Sequence, residues 1–344
     1  MSAGLAEPDR EMSGRPAPVP GKLRRWGRRG LLLVFFAAIG GLLWRQARTI
    51  EWGQVLQAAS DLPWTTLLAA TAIAAASHAL YSTYDLFGRR LTGHTLGAGT
   101  VMGVTFISYA FNLNLGSMVG GIAFRYRLYG RLGLRAHQTT RILGMSLATN
   151  WSGYLLVAGT AFFFWPPELP PSWKLDSGGL HIAGGIGLVL SAAYVLLCAW
   201  SHGRRWIVRG HRIELPGLRM ALVQVLVASI NWCLIGAVVW VLLQGRVDYP
   251  HVLAVLLCSV VAGLIVRVPG GLGVLEAVFV ALLDYRVPQS ELLAALLVYR
   301  AVYYLLPLLL ASLAYALTEV RARRLRASAA ARGAARAAAV QRRA

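Results

Sequence analysis

The chain has 344 residues, of which 57% are hydrophobic and only 14% charged, with a formal net charge of +20 at pH 7. A typical soluble domain carries roughly 25% charged residues, so a water-soluble fold is excluded for the bulk of the chain and one polytopic membrane bundle is expected. The positive charge gathers at the two ends and in a few loops rather than along one face, a pattern of membrane sidedness and not of nucleic-acid binding.

In chain order, residues 1–29 form a basic segment ending in Lys22-Leu-Arg-Arg-Trp-Gly-Arg-Arg. The apolar run 30–44 follows without a small-residue cleavage pattern, so an uncleaved signal anchor is expected. Further apolar runs at 62–86, 142–165, 180–200, 218–243 and 292–317 are near the roughly 20 residues that cross a bilayer, giving six full crossings. Basic clusters at Arg24 to Arg29, Arg89 and Arg90, Arg125 to Arg141, Arg204 to Arg212, and Arg321 onward place their loops, and both termini, in the cytoplasm. The tail 319–344, rich in Ala and Arg, is read as cytoplasmic and in contact with anionic lipid.

Two segments remain. Segment 97–124 lies between basic loops and 251–284 between nearly neutral ones, so each must return to the side it left. Both read as re-entrant hairpins, although two short full crossings satisfy the same parity. The second has arms of about 16 and 13 residues around Pro269-Gly-Gly-Leu-Gly273, roughly 24 and 20 Å at helical rise against a core of about 30 Å. The fold class predicted is an all-α polytopic membrane protein, with six full transmembrane helices and two re-entrant hairpins in an inverted repeat, occupying residues 30–318.

The polar residues within these segments are the candidate site. Residues 267–276, Arg-Val-Pro-Gly-Gly-Leu-Gly-Val-Leu-Glu, break a helix between a cation and an anion, and such groups persist at bilayer depth only when paired or facing a wet cavity. Arg300 is the single charge of the last span, with Tyr299, Tyr303, Tyr304 and Pro307 around it. On a regular helix 300, 303, 304 and 307 share a face, and an Arg300–Glu276 pair is expected, whether as a structural contact or along a substrate path. In the first hairpin Asn112, Asn114 and Ser117 can bond broken backbone or a headgroup, while Gly116, Gly120 and Gly121 permit close backbone approach. Arg125 suits phosphate because its planar fork binds two oxygens. Asp85, at the end of the second span, could pair with Arg89 or face the site. His78 is expected to be a packing or hydrogen-bonding residue. The cysteines Cys198, Cys233 and Cys258 lie in apolar runs without metal or redox spacing, and no phosphate-cradling loop, zinc motif or nucleophile elbow occurs. No enzyme activity, metal or cofactor is therefore expected.

The strings Tyr84-Asp85, Phe106-Ile-Ser-Tyr-Ala-Phe, Gly120-Gly121 with Arg125-Tyr-Arg-Leu-Tyr, Pro269-Gly-Gly-Leu-Gly-Val-Leu-Glu276 and Tyr299-Arg300-Ala-Val-Tyr-Tyr-Leu-Leu-Pro307 together resemble the lysylphosphatidylglycerol synthase transmembrane region family. This is the flippase portion of multiple peptide resistance factors and their stand-alone relatives. The resemblance runs over roughly residues 25–320 and departs from the family at Asn112-Leu-Asn114. It implies movement of aminoacylated phosphatidylglycerol, or a related anionic phospholipid, between leaflets of the bacterial cytoplasmic membrane. The aminoacyltransferase activity of the complete factors is not implied.

These readings converge on a flippase-like cavity. Arg300 and Arg125 would hold phosphate. Glu276 and Asp85 would hold an amino group or balance the arginines, with Asn112, Asn114 and the tyrosines completing the lining. The alternative is a non-transporting subunit that scaffolds or regulates a lipid-modifying or cell-envelope enzyme. Besides membrane phospholipid, the partners open to such a chain are a second copy of itself and a separately encoded lipid-modifying enzyme.

Overall fold

The computed structural model describes residues 52–170, 177–201, 205–208, 211–266 and 271–319. The expected first span 30–44, the basic N-terminal segment, the tail beyond 319 and the turn residues Arg267, Pro269 and Gly270 lie outside the described residues.

The chain enters through α1 (Trp52–Ser60), α2 (Trp64–Ser82) and α3 (Tyr84–Thr92). Pro63 caps the start of α2, where its missing N–H costs nothing. The expected span 62–86 is thus interrupted at Thr83, and α3 ends at Gly93, which is left-handed at φ 66°. Next come α4 (Ala98–Leu115), a π-helical segment Ser117–Ala123, and α5 (Phe124–Arg131). Two long helices follow, α6 (Ala136–Phe164) and α7 (Ser177–Ser201). A two-stranded antiparallel ribbon, β1 (Arg205–Val208) with β2 (His211–Glu214), leads to α8 (Leu218–Leu242). The last elements are α9 (Tyr249–Val266), α10 (Val274–Leu283) and α11 (Gln289–Tyr299), which passes through a second π segment, Arg300–Leu305, and runs on to Glu319.

Among the described residues four helices are long and apolar enough to cross a membrane: Ser177–Ser201, Leu218–Leu242, Tyr249–Val266 and Gln289–Glu319. One of these is the first arm of the second hairpin. It runs 18 residues, two more than the sequence reading gave it, because the helix already begins at Tyr249, and Pro250 in its first turn needs no helical donor. The helix α6 covers the expected span 142–165 but begins six residues earlier and is less apolar, burying Thr139, Ser146, Thr149 and Ser152 toward its neighbours.

The surface is as apolar as the interior. Along α7, Ile182, Ile186, Val189, Leu190, Leu196 and Leu197 are exposed, as expected of a helix whose solvent is lipid. Against that solvent hydrophobicity gives no reason for helices to associate, so close packing must. Gly159 of α6 meets Gly184 of α7, where an added Cβ on either would come within about 3 Å of the other's backbone. Gly153 meets Ala228 of α8 in the same way. The main core lies between α2, α6 and α8–α11, with a smaller cluster of Val101, Ile107, Leu128, Tyr129, Ile142 and Ala311 beneath the first hairpin.

That hairpin is built on glycine. Gly116 turns the chain at φ 81°, a conformation costly for any other residue. A Cβ on Gly120 would sit 2.2 Å from the Asn112 nitrogen and from the Phe111 carbonyl, so the two arms touch backbone to backbone. Gly271 and Gly273, at φ 57° and 78°, turn the second hairpin into α10. Gly120→Ala should therefore destabilise the fold by roughly 1–3 kcal/mol through overpacking, read as a lower midpoint of thermal unfolding in detergent; an unchanged midpoint would mean that the arms can part at no cost.

Candidate functional site

Two acid–arginine pairs lie among these helices, and they differ in setting. Thr83 ends α2 so that α3 sets off with Asp85 in its first turn, pointing inward. There Arg125, on α5, meets it with two parallel bonds, Nε to Oδ2 at 3.0 Å and Nη2 to Oδ1 at 3.2 Å. Arg125 also donates to the Gly121 carbonyl at 3.2 Å and to Ser146 Oγ at 3.4 Å, and the Tyr129 hydroxyl donates to Asp85 Oδ2 at 2.9 Å. The pair is 3% and 0% exposed. Its oxygens and nitrogens are occupied by protein, and Asp85 bonds to Arg125 rather than to Arg89.

The second pair is less enclosed. Arg300 bonds Glu276 of α10 through Nε and, at 3.0 Å, through Nη2, which also donates to the Gly271 carbonyl at 2.9 Å. Its guanidinium lies 5.3 Å from the centre of the Tyr304 ring. Side-chain exposures of 12% for Arg300 and 23% for Glu276 leave this pair accessible where the first is sealed.

Between the pairs lies a row of hydroxyls. Ser77 Oγ donates to Asn231 Oδ1 at 2.8 Å. A hydroxyl has one proton, so the Tyr303 hydroxyl, 2.8 Å away, must donate to Ser77, and Tyr109, 3.1 Å from Tyr303, must donate to Tyr303. All four residues are buried. Tyr81 stacks on Tyr109 with ring centres 3.5 Å apart, and Tyr299 stacks on Tyr303 at 5.4 Å.

The π segment explains why these residues converge. In a regular α-helix the Tyr303 carbonyl would accept from the N–H of residue 307, but that residue is proline and has none. The helix widens into π turns at Arg300–Leu305, and His78 Nε2, 3.1 Å from the Tyr303 carbonyl, supplies the donor. Nε2 must carry the imidazole proton, since a carbonyl only accepts. Next along, Asn114 Nδ2 donates to the Tyr304 carbonyl at 3.2 Å as well as to Ala110 at 2.8 Å. Two helix breaks thus bond each other. Positions 300, 303, 304 and 307 do not follow the regular helical spacing that the sequence suggested, because the π turns rotate the residues after Tyr299.

A cavity of ≈ 780 Å³ opens beside this junction. Both hairpins contribute to its wall, Asn112, Leu113 and Leu115 to Met118 from the first and Gly271, Val274 and Leu275 from the second, with Tyr299, Tyr303 and Tyr304 of α11 between them; Asn114, expected in the lining, is outside it and bonds the Tyr304 carbonyl instead. Trp232 of α8 and Ser259 of α9 complete it. Leu115, Met118 and Leu264 on its rim are exposed apolar side chains, so the cavity reaches the lipid-facing surface. Of the candidate residues, Asn112, Gly116, Gly271 and the three tyrosines line the cavity, and Arg300 and Glu276 stand behind Gly271 and Tyr304. Gly120, Gly121, Arg125 and Asp85 belong to the packing of the first hairpin instead. Ser77, Tyr109, Asn231, Tyr129 and Ser146 were not singled out from sequence; no local pattern marks them, since each acts through a partner on another helix.

The sealed and the accessible pair should answer differently to mutation. Asp85→Ala leaves the Arg125 charge buried and alone, and should cost roughly 3–5 kcal/mol of stability, whereas Glu276→Ala should cost clearly less because Arg300 is less buried and keeps its bond to the Gly271 carbonyl. Chemical unfolding in detergent checks both; equal losses would contradict the difference in burial.

Residues 30–311 match the family described as lysylphosphatidylglycerol synthase TM region. The chain is 44% identical over 306 residues to the inner membrane protein YbhN of Escherichia coli K12, an alignment covering 88% of this chain and 96% of YbhN. It is 30% identical over 272 residues to the Synechocystis protein slr0712, covering 78% and 84% of the two chains. A shorter similarity, 30% over 90 residues, connects 25% of this chain with 11% of the phosphatidylglycerol lysyltransferase of Staphylococcus haemolyticus. With the apolar helices and the motif residues set in this geometry, the chain belongs to the lysylphosphatidylglycerol synthase TM region family of membrane proteins.

Proposed function

We propose that this protein moves phospholipid between the leaflets of a bacterial inner membrane, the headgroup crossing through the cavity while the acyl chains stay in lipid. One observation carries the reading: two interrupted hairpins and the π segment of α11 surround a cavity of ≈ 780 Å³ with exposed apolar side chains on its wall, and the partly exposed Arg300–Glu276 pair stands directly behind two of its lining residues, Gly271 and Tyr304. Ionisable groups within membrane segments are functional candidates by default. The similarity to YbhN, an inner membrane protein, and to part of a phosphatidylglycerol lysyltransferase supports the membrane and the lipid class.

In this mechanism a headgroup phosphate takes bonds on Arg300 that Glu276 now holds, and Glu276 turns to the amino or hydroxyl groups of the same headgroup. The exchange keeps every charge compensated, which a lone ion in the membrane would not be. Asn112, Tyr299, Tyr303 and Tyr304 offer the headgroup donors and acceptors along the wall. Arg125 and Asp85 we assign to holding the first hairpin in place, since their bonds are already made and their burial is complete. The inverted repeat supplies the motion, each hairpin entering from its own leaflet so that rocking one against the other exposes the cavity alternately. An aminoacylated phosphatidylglycerol suits the site, carrying both a phosphate for Arg300 and an ammonium for Glu276.

Reconstituted liposomes with fluorescent phosphatidylglycerol, quenched from outside by a reductant, measure the activity. Wild type should redistribute the probe, and the double substitution Arg300→Gln with Glu276→Gln, which leaves no unpaired charge, should slow it at least roughly tenfold with the folded fraction unchanged. Transport at the wild-type rate in that variant would remove the pair from the mechanism. Wild-type protein that moves no lipid but co-purifies with a lipid-modifying enzyme would favour the scaffolding role.

A further inference from the structure

A second crevice, of ≈ 540 Å³, lies apart from the cavity described above, between α3 and the start of α8. Its volume is in the range of ligand-binding pockets, about 300–1,000 Å³. Arg90 from α3 and Arg219 from α8 flank it, both exposed, and among the described residues neither has a carboxylate partner. Beneath them the floor is apolar, made by Phe87, Leu218, Met220 and Val223. Below the crevice Leu222, Leu226 and Ile230 continue along α8 as exposed side chains at four-residue spacing, so one helix face runs from the arginines into the lipid-facing surface.

This arrangement is amphipathic in the sense of a phospholipid. Two guanidinium groups from different helices suit a phosphate, whose oxygens they can bind as paired forks. A free anion has no use for the apolar floor or for the stripe beneath it, whereas an acyl chain does. The crevice also lies at the end of the bundle that carries the basic loops, beside the leaflet surface where anionic lipids attract arginine. We propose that Arg90 and Arg219 form a binding site for one anionic phospholipid, its phosphate between the two guanidinium groups and a chain along Leu222, Leu226 and Ile230. The site is independent of the translocation pathway and remains even if the protein moves no lipid.

The test is native mass spectrometry of the full-length protein, delipidated and then titrated with phosphatidylglycerol or phosphatidylcholine. Wild type should retain one phosphatidylglycerol in preference to phosphatidylcholine, and Arg90→Ala with Arg219→Ala should weaken that binding roughly 30-fold. A control pair from another basic loop, Arg127→Ala with Arg135→Ala, should leave it within about twofold. Three results would overturn the proposal: equal retention of the two lipids by wild type, an equal loss in the control pair, which would reduce the effect to general basicity, and displacement of the lipid by inorganic phosphate alone. Thermal unfolding of both variants in detergent separates loss of the site from loss of the fold. Substitution of Arg300 and Glu276 should not change this binding, which keeps the result apart from that of the transport assay.

Discussion

Lipid tails offer no hydrogen-bond partner, so each interruption of a helix inside a membrane has to be answered by another part of the protein. Here the interruption at Pro307 deprives the Tyr303 carbonyl of its donor, and His78 on α2 provides one. The interruption at Gly116 leaves Asn114 near the end of its helix, and its amide reaches the Tyr304 carbonyl on α11. Both α11 carbonyls are met by a residue from another element. α2, the first hairpin and α11 are thereby fixed around one point, and the cavity forms where three irregular stretches meet instead of packing flush. Its existence follows from the backbone, and its polarity from other side chains, Asn112, Ser117, Ser259 and the tyrosines, than the two that repair the backbone.

The two arginine–carboxylate pairs divide the remaining work. Arg125 and Asp85 are joined by two direct bonds and supported by Tyr129, Ser146 and the Gly121 carbonyl. A pair so enclosed cannot exchange partners without leaving a charge stranded, and it ties α3 to α5 and α6. Arg300 and Glu276 have the same chemistry in a more open place, where partners can be exchanged. Burial, not residue type, separates the sealed pair from the more open one.

Much of this was legible in the sequence, for a physical reason. Ions and glycine-rich breaks are costly in apolar surroundings, so Arg300, Glu276, Asn112 and the turns at Gly116 and Gly271 stood out against their background, as did the pairing of Arg300 with Glu276. The partner of Asp85 did not. Asp85 and Arg125 are 40 residues apart, and their meeting depends on the break at Thr83, which no proline or glycine announces. The π turns were equally hidden, because Pro307 reveals that a helical bond is missing but not whether the helix kinks or widens to absorb the loss. The start of α9 was set two residues late because Tyr249 and Pro250 do not read as part of an apolar run, although proline fits the first turn of a helix. The buried row of Ser77, Tyr303, Tyr109 and Asn231 arises from contacts among four separate helices, which no local pattern encodes.

That row has one further property. Each hydroxyl gives its only proton in the same direction, from Tyr109 through Tyr303 and Ser77 to the amide oxygen of Asn231. The three O–H dipoles therefore add, with the positive end turned toward Asn231 and the electron-rich end at the Tyr109 oxygen. Tyr109 is the member of the row that, with Tyr303, borders the cavity. One wall of the cavity is therefore joined to α2 and α8 by a single line of aligned dipoles.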